Sequence, residues 1–216
     1  LSLESLKYPE EIYNFFFKNG FKAIGFNIIE RVSANLKSEF DDNPDNLERI
    51  RNAFKSFFST LYDLSVKDKG KLKIRELEDS LLSLDALRKN EDHVTYNYTN
   101  IPFSIVTISV DGNISTFSPE LIEGYGKKKD AFLIGNIHNI QHLDDLLNQE
   151  TLLKMSQKIN QGVDLCKQTC DYYAVCGGGI PSNKFFSTGK FNSTETTNCK
   201  LMIKEMTELI LEKCQS

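Results

Sequence analysis

The run from Cys166 to Cys199, CKQTCDYYAVCGGGIPSNKFFSTGKFNSTETTNC, holds four of the chain's five cysteines. Cys166, Cys170 and Cys176 are separated by three and then five residues, and Cys199 closes a loop rich in turn formers: Gly177, Gly178, Gly179, Pro181, Asn183 and Gly189. Thiolates gathered on a short loop, with glycines that let the backbone fold tightly, suit a metal centre. Three arrangements compete on spacing. An iron–sulfur cluster on four thiolates ranks first. Structural zinc ranks second, because it favours C-x-x-C pairs and histidine partners, and the run has neither. A pair of disulfides ranks last, since five cysteines leave one over and nothing else suggests a small secreted scaffold.

Outward from this run, the composition is that of an ordinary globular chain. The 216 residues suffice for one large domain or two small ones. Apolar residues make up 40% and charged residues 26%, with a net charge of −4. No basic surface argues for nucleic acid, and Lys127-Lys128-Lys129 reads as a solvated loop. No apolar run approaches the length of a membrane span, and no signal peptide is seen, so the expected compartment is the cytoplasm, whose reducing conditions suit a cluster.

In chain order, residues 1–6 read as a strand end and turn. Pro9 opens a helix to about Lys18, with Ile12, Tyr13, Phe16 and Phe17 at helical spacing and Gly20 as its stop. Phe21–Ile29 reads as a mostly buried strand ending at Asn27 and Glu30. Strand, helix, strand is the repeat of a parallel α/β fold. After a polar turn at Asp41–Asp45, a helix places Leu47, Ile50, Phe54, Phe57, Phe58, Leu61 and Leu64 on one face. Gly70 ends it, and a second helix spans Leu72–Arg88. Residues 89–100 are polar and mark the domain boundary. From 101 to 117 the period becomes two, with Asp111-Gly112 as a hairpin turn. Helical segments from Leu143 deliver the chain to Cys166, and a last helix follows Cys199.

The pattern C-x3-C-D-Y-Y-x2-C-G-G-G-x-P-x-N-K-x-F-x2-G-x-F-x2-T-E-T-x2-C resembles the C-terminal auxiliary-cluster domain, SPASM or twitch, of radical S-adenosylmethionine (SAM) peptide maturases. The nearest resemblance is to the branch that forms cyclophane crosslinks in ribosomally synthesised peptides. It implies a fold of α/β plus α+β type. Residues 1–90 would be the C-terminal repeats of a partial (β/α) barrel with connecting helices. Residues 91–216 would be a small β-hairpin and helix domain carrying one auxiliary 4Fe-4S cluster on Cys166, Cys170, Cys176 and Cys199.

The resemblance also implies partners: a precursor peptide, an external electron donor, and in the intact enzyme SAM with a second 4Fe-4S cluster. No nucleic acid or membrane is expected. The C-x3-C-x2-C loop that binds the SAM-cleaving cluster is absent here, and the chain begins without Met, so a fragment inactive by itself is expected. The full SPASM pattern holds two auxiliary clusters. The positions expected for cysteine ligands of one are Phe117 and Ile180 here, which implies a single-cluster domain. The C-x3-C spacing departs from the family's usual C-x2-C.

Other residues carry weaker signals. Asn27 and Glu30 close a strand on the side that faces the active site in (β/α) barrels, and are candidates for contact with SAM or the substrate peptide. Glu4 and Ser5 share that reasoning. Asn183, Lys184 and Glu195 match the family motif and are read as loop capping and pairing. Cys214 is read as a structural or free thiol, and His138 and His142 as solvated surface. The alternatives to a maturase fragment are an electron-transfer or binding module, alone or as half of a split enzyme, and a zinc-stabilised interaction domain.

Overall fold

The computed structural model describes all residues except 34, 36, 42, 43, 125, 127 and 216. The expected turn at 41–45 and the basic run at 127–129 therefore lie partly outside the described residues. In chain order the elements are α1 (Pro9–Lys18), β1 (Ala23–Ile24), α2 (Leu47–Lys67), β2 (Lys73–Ile74), α3 (Arg75–Lys89), β3 (Val106–Ile108), β4 (Asn113–Thr116), β5 (Gly135–Asn136), α4 (Glu150–Thr169), α5 (Tyr173–Cys176) and α6 (Pro181–Thr188). A π-helical turn (Cys199–Glu205) then leads into α7 (Met206–Gln215). The fold is mixed α/β. Two compact units share the chain: the first comprises Leu1–Glu30, Lys37–Val94 and Thr197–Ser216, the second Arg31–Leu36 and Thr95–Thr196.

In the first unit β1 and β2 pair in parallel, Ala23 with Lys73 and Ile24 with Ile74. A parallel pair needs a crossover connection, which α2 supplies. Phe54, Phe57, Phe58 and Leu61 of α2 are fully buried, and Phe26 sets its ring edge-on to Phe57 with centroids 5.5 Å apart. Leu201, Met206, Leu209 and Ile210 complete the same core from the chain's last segment.

Three expected features differ here. Residues 1–6 form no strand end; Ser5–Lys7 is a short 3-10 turn, because Ser2 and Ser5 bond each other's backbone N–H groups at 3.1 and 2.8 Å. The strand expected over 21–29 is only Ala23–Ile24. Beyond it, side chains replace a strand partner. Phe26 N–H donates to Glu76 Oε1 (2.9 Å), and Arg75 Nη2 donates to the Phe26 carbonyl (3.1 Å). The helix expected from Leu72 begins at Arg75, since Lys73 and Ile74 are held by β1.

The second unit is built on an antiparallel sheet in the order β3-β4-β5, with Thr107 opposite Ser115 and Ile114 opposite Gly135. Gly112 makes the hairpin turn at φ +80°, a conformation that L side chains rarely adopt. Ile114, Phe117 and Leu121 pack with Phe132, Met155 and Ile159 in a second core. Along α4 the buried positions are Leu152, Met155, Ile159, Gly162 and Cys166, spaced alternately by three and four. That is one helical face, and Cys166 is its last member.

Candidate metal centre

Helix periodicity thus buries the first cysteine of the run. The second ends the helix: Cys170 is the residue after Thr169, extended at φ −119°, and its N–H bonds the Cys166 carbonyl at 2.9 Å. Two residues of turn and the short α5 then bring Cys176 back. The next three residues, Gly177, Gly178 and Gly179, have φ of +63°, +102° and +76°. Successive backbone amides in such a turn form a concave nest for an anion. Here the amides of Gly178 and Gly179 bond the Cys176 sulfur.

The Cys176 thiol is held above its ordinary value. Burial is the main cause, the Gly178 and Gly179 amides oppose it, and the Cys170 and Cys166 sulfurs raise it further. Cys166, Cys170 and Cys176 are thus electrostatic neighbours within the second unit. Each of the five cysteines is a thiol, so the disulfide arrangement is not formed. Cys199 opens the π-helical turn of the first unit and is partly buried, whereas Cys214 is exposed.

A segment that sequence reasoning treated only as a polar boundary clamps the glycine turn. Thr95 N–H donates to the Ala174 carbonyl at 2.8 Å. Asn97 Nδ2 donates to the carbonyls of Cys176 (3.0 Å) and Gly179 (2.9 Å), and Asn100 Nδ2 to that of Gly177 (3.1 Å). Asn97 Oδ1 is itself fixed by Thr99, accepting from its N–H at 3.1 Å and its hydroxyl at 2.6 Å. The available signal was two asparagines three apart, upstream of a glycine run with carbonyls to satisfy.

Lys184 is 3% exposed, and its Nζ lies 3.1 Å from the Gly162 carbonyl and 3.3 Å from Cys166 Sγ. Asn183 is buried beside it in α6, while Glu195 is exposed. His138 and His142 are exposed and share no helix: His138 lies in the 3-10 turn Ile137–Asn139, and His142 caps the 3-10 turn Leu143–Leu146. Phe117 is fully buried in the second core at φ +73°.

The residues expected on the barrel side are engaged within the first unit. Asn27 Oδ1 accepts from Arg75 Nη2 at 3.0 Å, and Glu30 Oε1 accepts from Asn198 Nδ2. Glu4 accepts from Lys7 and from the Tyr8 hydroxyl, and Ser5 serves the turn described above.

Among the described residues, no group of three or more His, Cys, Asp or Glu side chains is arranged to hold a metal ion. The thiolates of a 4Fe-4S cluster bind separate irons, so they need only surround a common space. Three neighbouring thiols, two amides on one sulfur and a buried ammonium beside another fit the electronic needs of such a group. Among the described residues, no helix is long and apolar enough to cross a membrane.

No model of a known protein family matches the chain. A protein of Synechocystis sp., itself uncharacterised, is 34% identical over 211 residues, covering 98% of this chain and 50% of that protein. The chain thus spans about half the length of the relative it matches.

Proposed function

We propose that this chain is the C-terminal part of a radical SAM peptide maturase that forms cyclophane-type crosslinks in a ribosomally synthesised precursor peptide. It carries one auxiliary 4Fe-4S cluster. In the finer architecture of this reading, residues 1–90 belong to a partial (β/α) barrel with SAM, and residues 91–216 form the SPASM/twitch domain. The observation that carries the reading is the sequence-matched glycine turn, whose amides bond the Cys176 sulfur with Cys166 and Cys170 as its neighbours.

Cys166, Cys170 and Cys176 would hold the group from the second unit, and Cys199 is the fourth ligand expected from the sequence. When bound, such a cluster passes single electrons and has no iron left open for substrate. The chain's own contribution is positional. α4 buries one thiol, Asn97 and Asn100 fix the turn behind another, and the glycine amides stabilise negative charge on its sulfur. Phe117, at a position expected for a ligand of a second auxiliary cluster, fills apolar core instead, which supports one cluster rather than two.

Anaerobic reconstitution tests the cofactor. The expected result is about four irons per chain with matching sulfide. Cys166→Ser, Cys170→Ser, Cys176→Ser and Cys199→Ser should each reduce that content, and Cys214→Ser should leave it unchanged. Stoichiometric zinc without sulfide would refute the cluster. The peptide reaction is tested with the intact enzyme, SAM, a reductant and a precursor peptide. A product lighter by two hydrogens per crosslink is expected, and an unchanged peptide mass counts against the maturase reading.

A further inference from the structure

Lys184 is an unusual residue to bury, and its surroundings give it no ordinary counter-ion. Among the described residues its ammonium forms no ion pair with a carboxylate, and its Nζ sits against the Gly162 carbonyl and the Cys166 sulfur. An ammonium removed from water is unfavourable unless opposite charge or several acceptors surround it. One carbonyl and one neutral thiol fall short of that. A thiolate bound to an iron–sulfur group supplies the missing charge, because the cluster with its four thiolates is anionic.

The neighbouring geometry holds the ammonium at this place. Lys184 lies in the first turn of α6, while Gly162 and Cys166 lie one turn apart on the buried face of α4. A Cβ on Gly162 would lie 2.4 Å from the Phe191 carbonyl oxygen, so the chain approaches α4 closely at that point. The lysine reaches the sulfur from within the protein, where solvent does not screen the interaction.

Resting on the cluster reading above, we propose that Lys184 is the buried counter-charge of the auxiliary cluster and raises its reduction potential. One-electron reduction by an external donor makes the cluster more negative by one charge. A fixed cation 3.3 Å from a ligand sulfur stabilises that reduced form more than the oxidised one. The competing role for Lys184 is purely mechanical: it ties α6 to α4 through the Gly162 carbonyl. The two roles separate experimentally, because only the first depends on charge.

The test uses the whole chain as wild type, Lys184→Met and Lys184→Arg, reconstituted anaerobically. Iron and sulfide are measured, and the midpoint potential is read by dithionite titration with EPR and visible absorption. Lys184→Met should retain the cluster and lower its reduction equilibrium constant at least about tenfold, about 59 mV for one electron. Lys184→Arg should stay within that margin of wild type. Cluster loss in Lys184→Met alone, with Lys184→Arg loaded, also supports the charge. Coincident potentials in wild type and Lys184→Met would overturn the proposal, as would equal shifts or cluster loss in both variants. A wild-type chain without iron and sulfide would refute the cluster reading itself and this inference with it.

Discussion

Replacing Gly177 with Ala should damage the second unit far more than the same change at Gly189. Both glycines have positive φ, +63° and +77°, so both substitutions incur the left-handed backbone penalty, about 1–2 kcal/mol. Their surroundings differ. Around Gly189 a Cβ meets nothing within 4 Å, whereas at Gly177 it would lie 2.4 Å from the Thr95 carbonyl oxygen and 3.0 Å from Asn97 Cβ. Restoring ordinary contact at 3.4 Å requires the 95–97 segment to retreat by about 1 Å.

That retreat strains three bonds: Thr95 N–H to the Ala174 carbonyl at 2.8 Å, and Asn97 Nδ2 to the Cys176 and Gly179 carbonyls at 3.0 and 2.9 Å. At about 1 kcal/mol net for each bond, Gly177→Ala should cost roughly 2–3 kcal/mol more than Gly189→Ala. The chain has no Trp, so urea unfolding is followed by circular dichroism. With a slope of about 2 kcal/mol per molar urea, the second-unit midpoint should fall by an additional 1 M or so. Equal losses in the two variants would refute the clamp.

Asn97→Asp keeps the acceptor that Thr99 uses and removes both donations to the glycine turn; it should cost about 1–3 kcal/mol and lower iron uptake on reconstitution. Glu76→Ala leaves the buried Phe26 N–H without its acceptor, and thermal melting should show a first-unit loss of about 1–3 kcal/mol. Arg75 is half exposed, so the ion pair adds little to that loss. Asp145 is held below its ordinary carboxyl value of 3.8 by the backbone N–H groups of His142 and Gln141. Its folded value lies under its unfolded one, so its contribution is complete above about pH 4 and disappears as pH falls through the lowered value. An NMR titration should place the Asp145 midpoint below 3.8, with the Gln141 and His142 amide signals moving together; an ordinary midpoint contradicts the cap.

Local signals were legible where one face of one helix decides the outcome. The apolar spacing from Leu47 to Leu64 corresponds to α2, and Pro9 and Gly20 bracket α1. The hairpin at Asp111-Gly112 has its expected alternation, with Val106 and Ile108 exposed and Thr107 less so. The apolar run Phe21–Ile29 misled because burial does not require a strand. Phe26 and Ile28 enter the core from irregular backbone, whose polar groups are taken by residues fifty positions away. Asn97 and Asn100 were hidden for a related reason. A polar stretch looks like a linker until the carbonyls it serves, nearly eighty residues downstream, are known. The cysteine run was visible by spacing, but the Lys184 contact with Cys166 joins different helices and has no period that announces it.

The order in which the units are threaded has a consequence for synthesis. The first unit's core needs Leu201, Met206, Leu209 and Ile210, yet the whole of Thr95–Thr196 must leave the ribosome before them. At bacterial to eukaryotic elongation rates, that interval is roughly 5–20 s. During it, the core around α2 lacks its last four members, while the segments of the second unit emerge in turn. Translation therefore lets the second unit, with Cys166, Cys170 and Cys176, complete before the first, whose core closes only when α7 arrives.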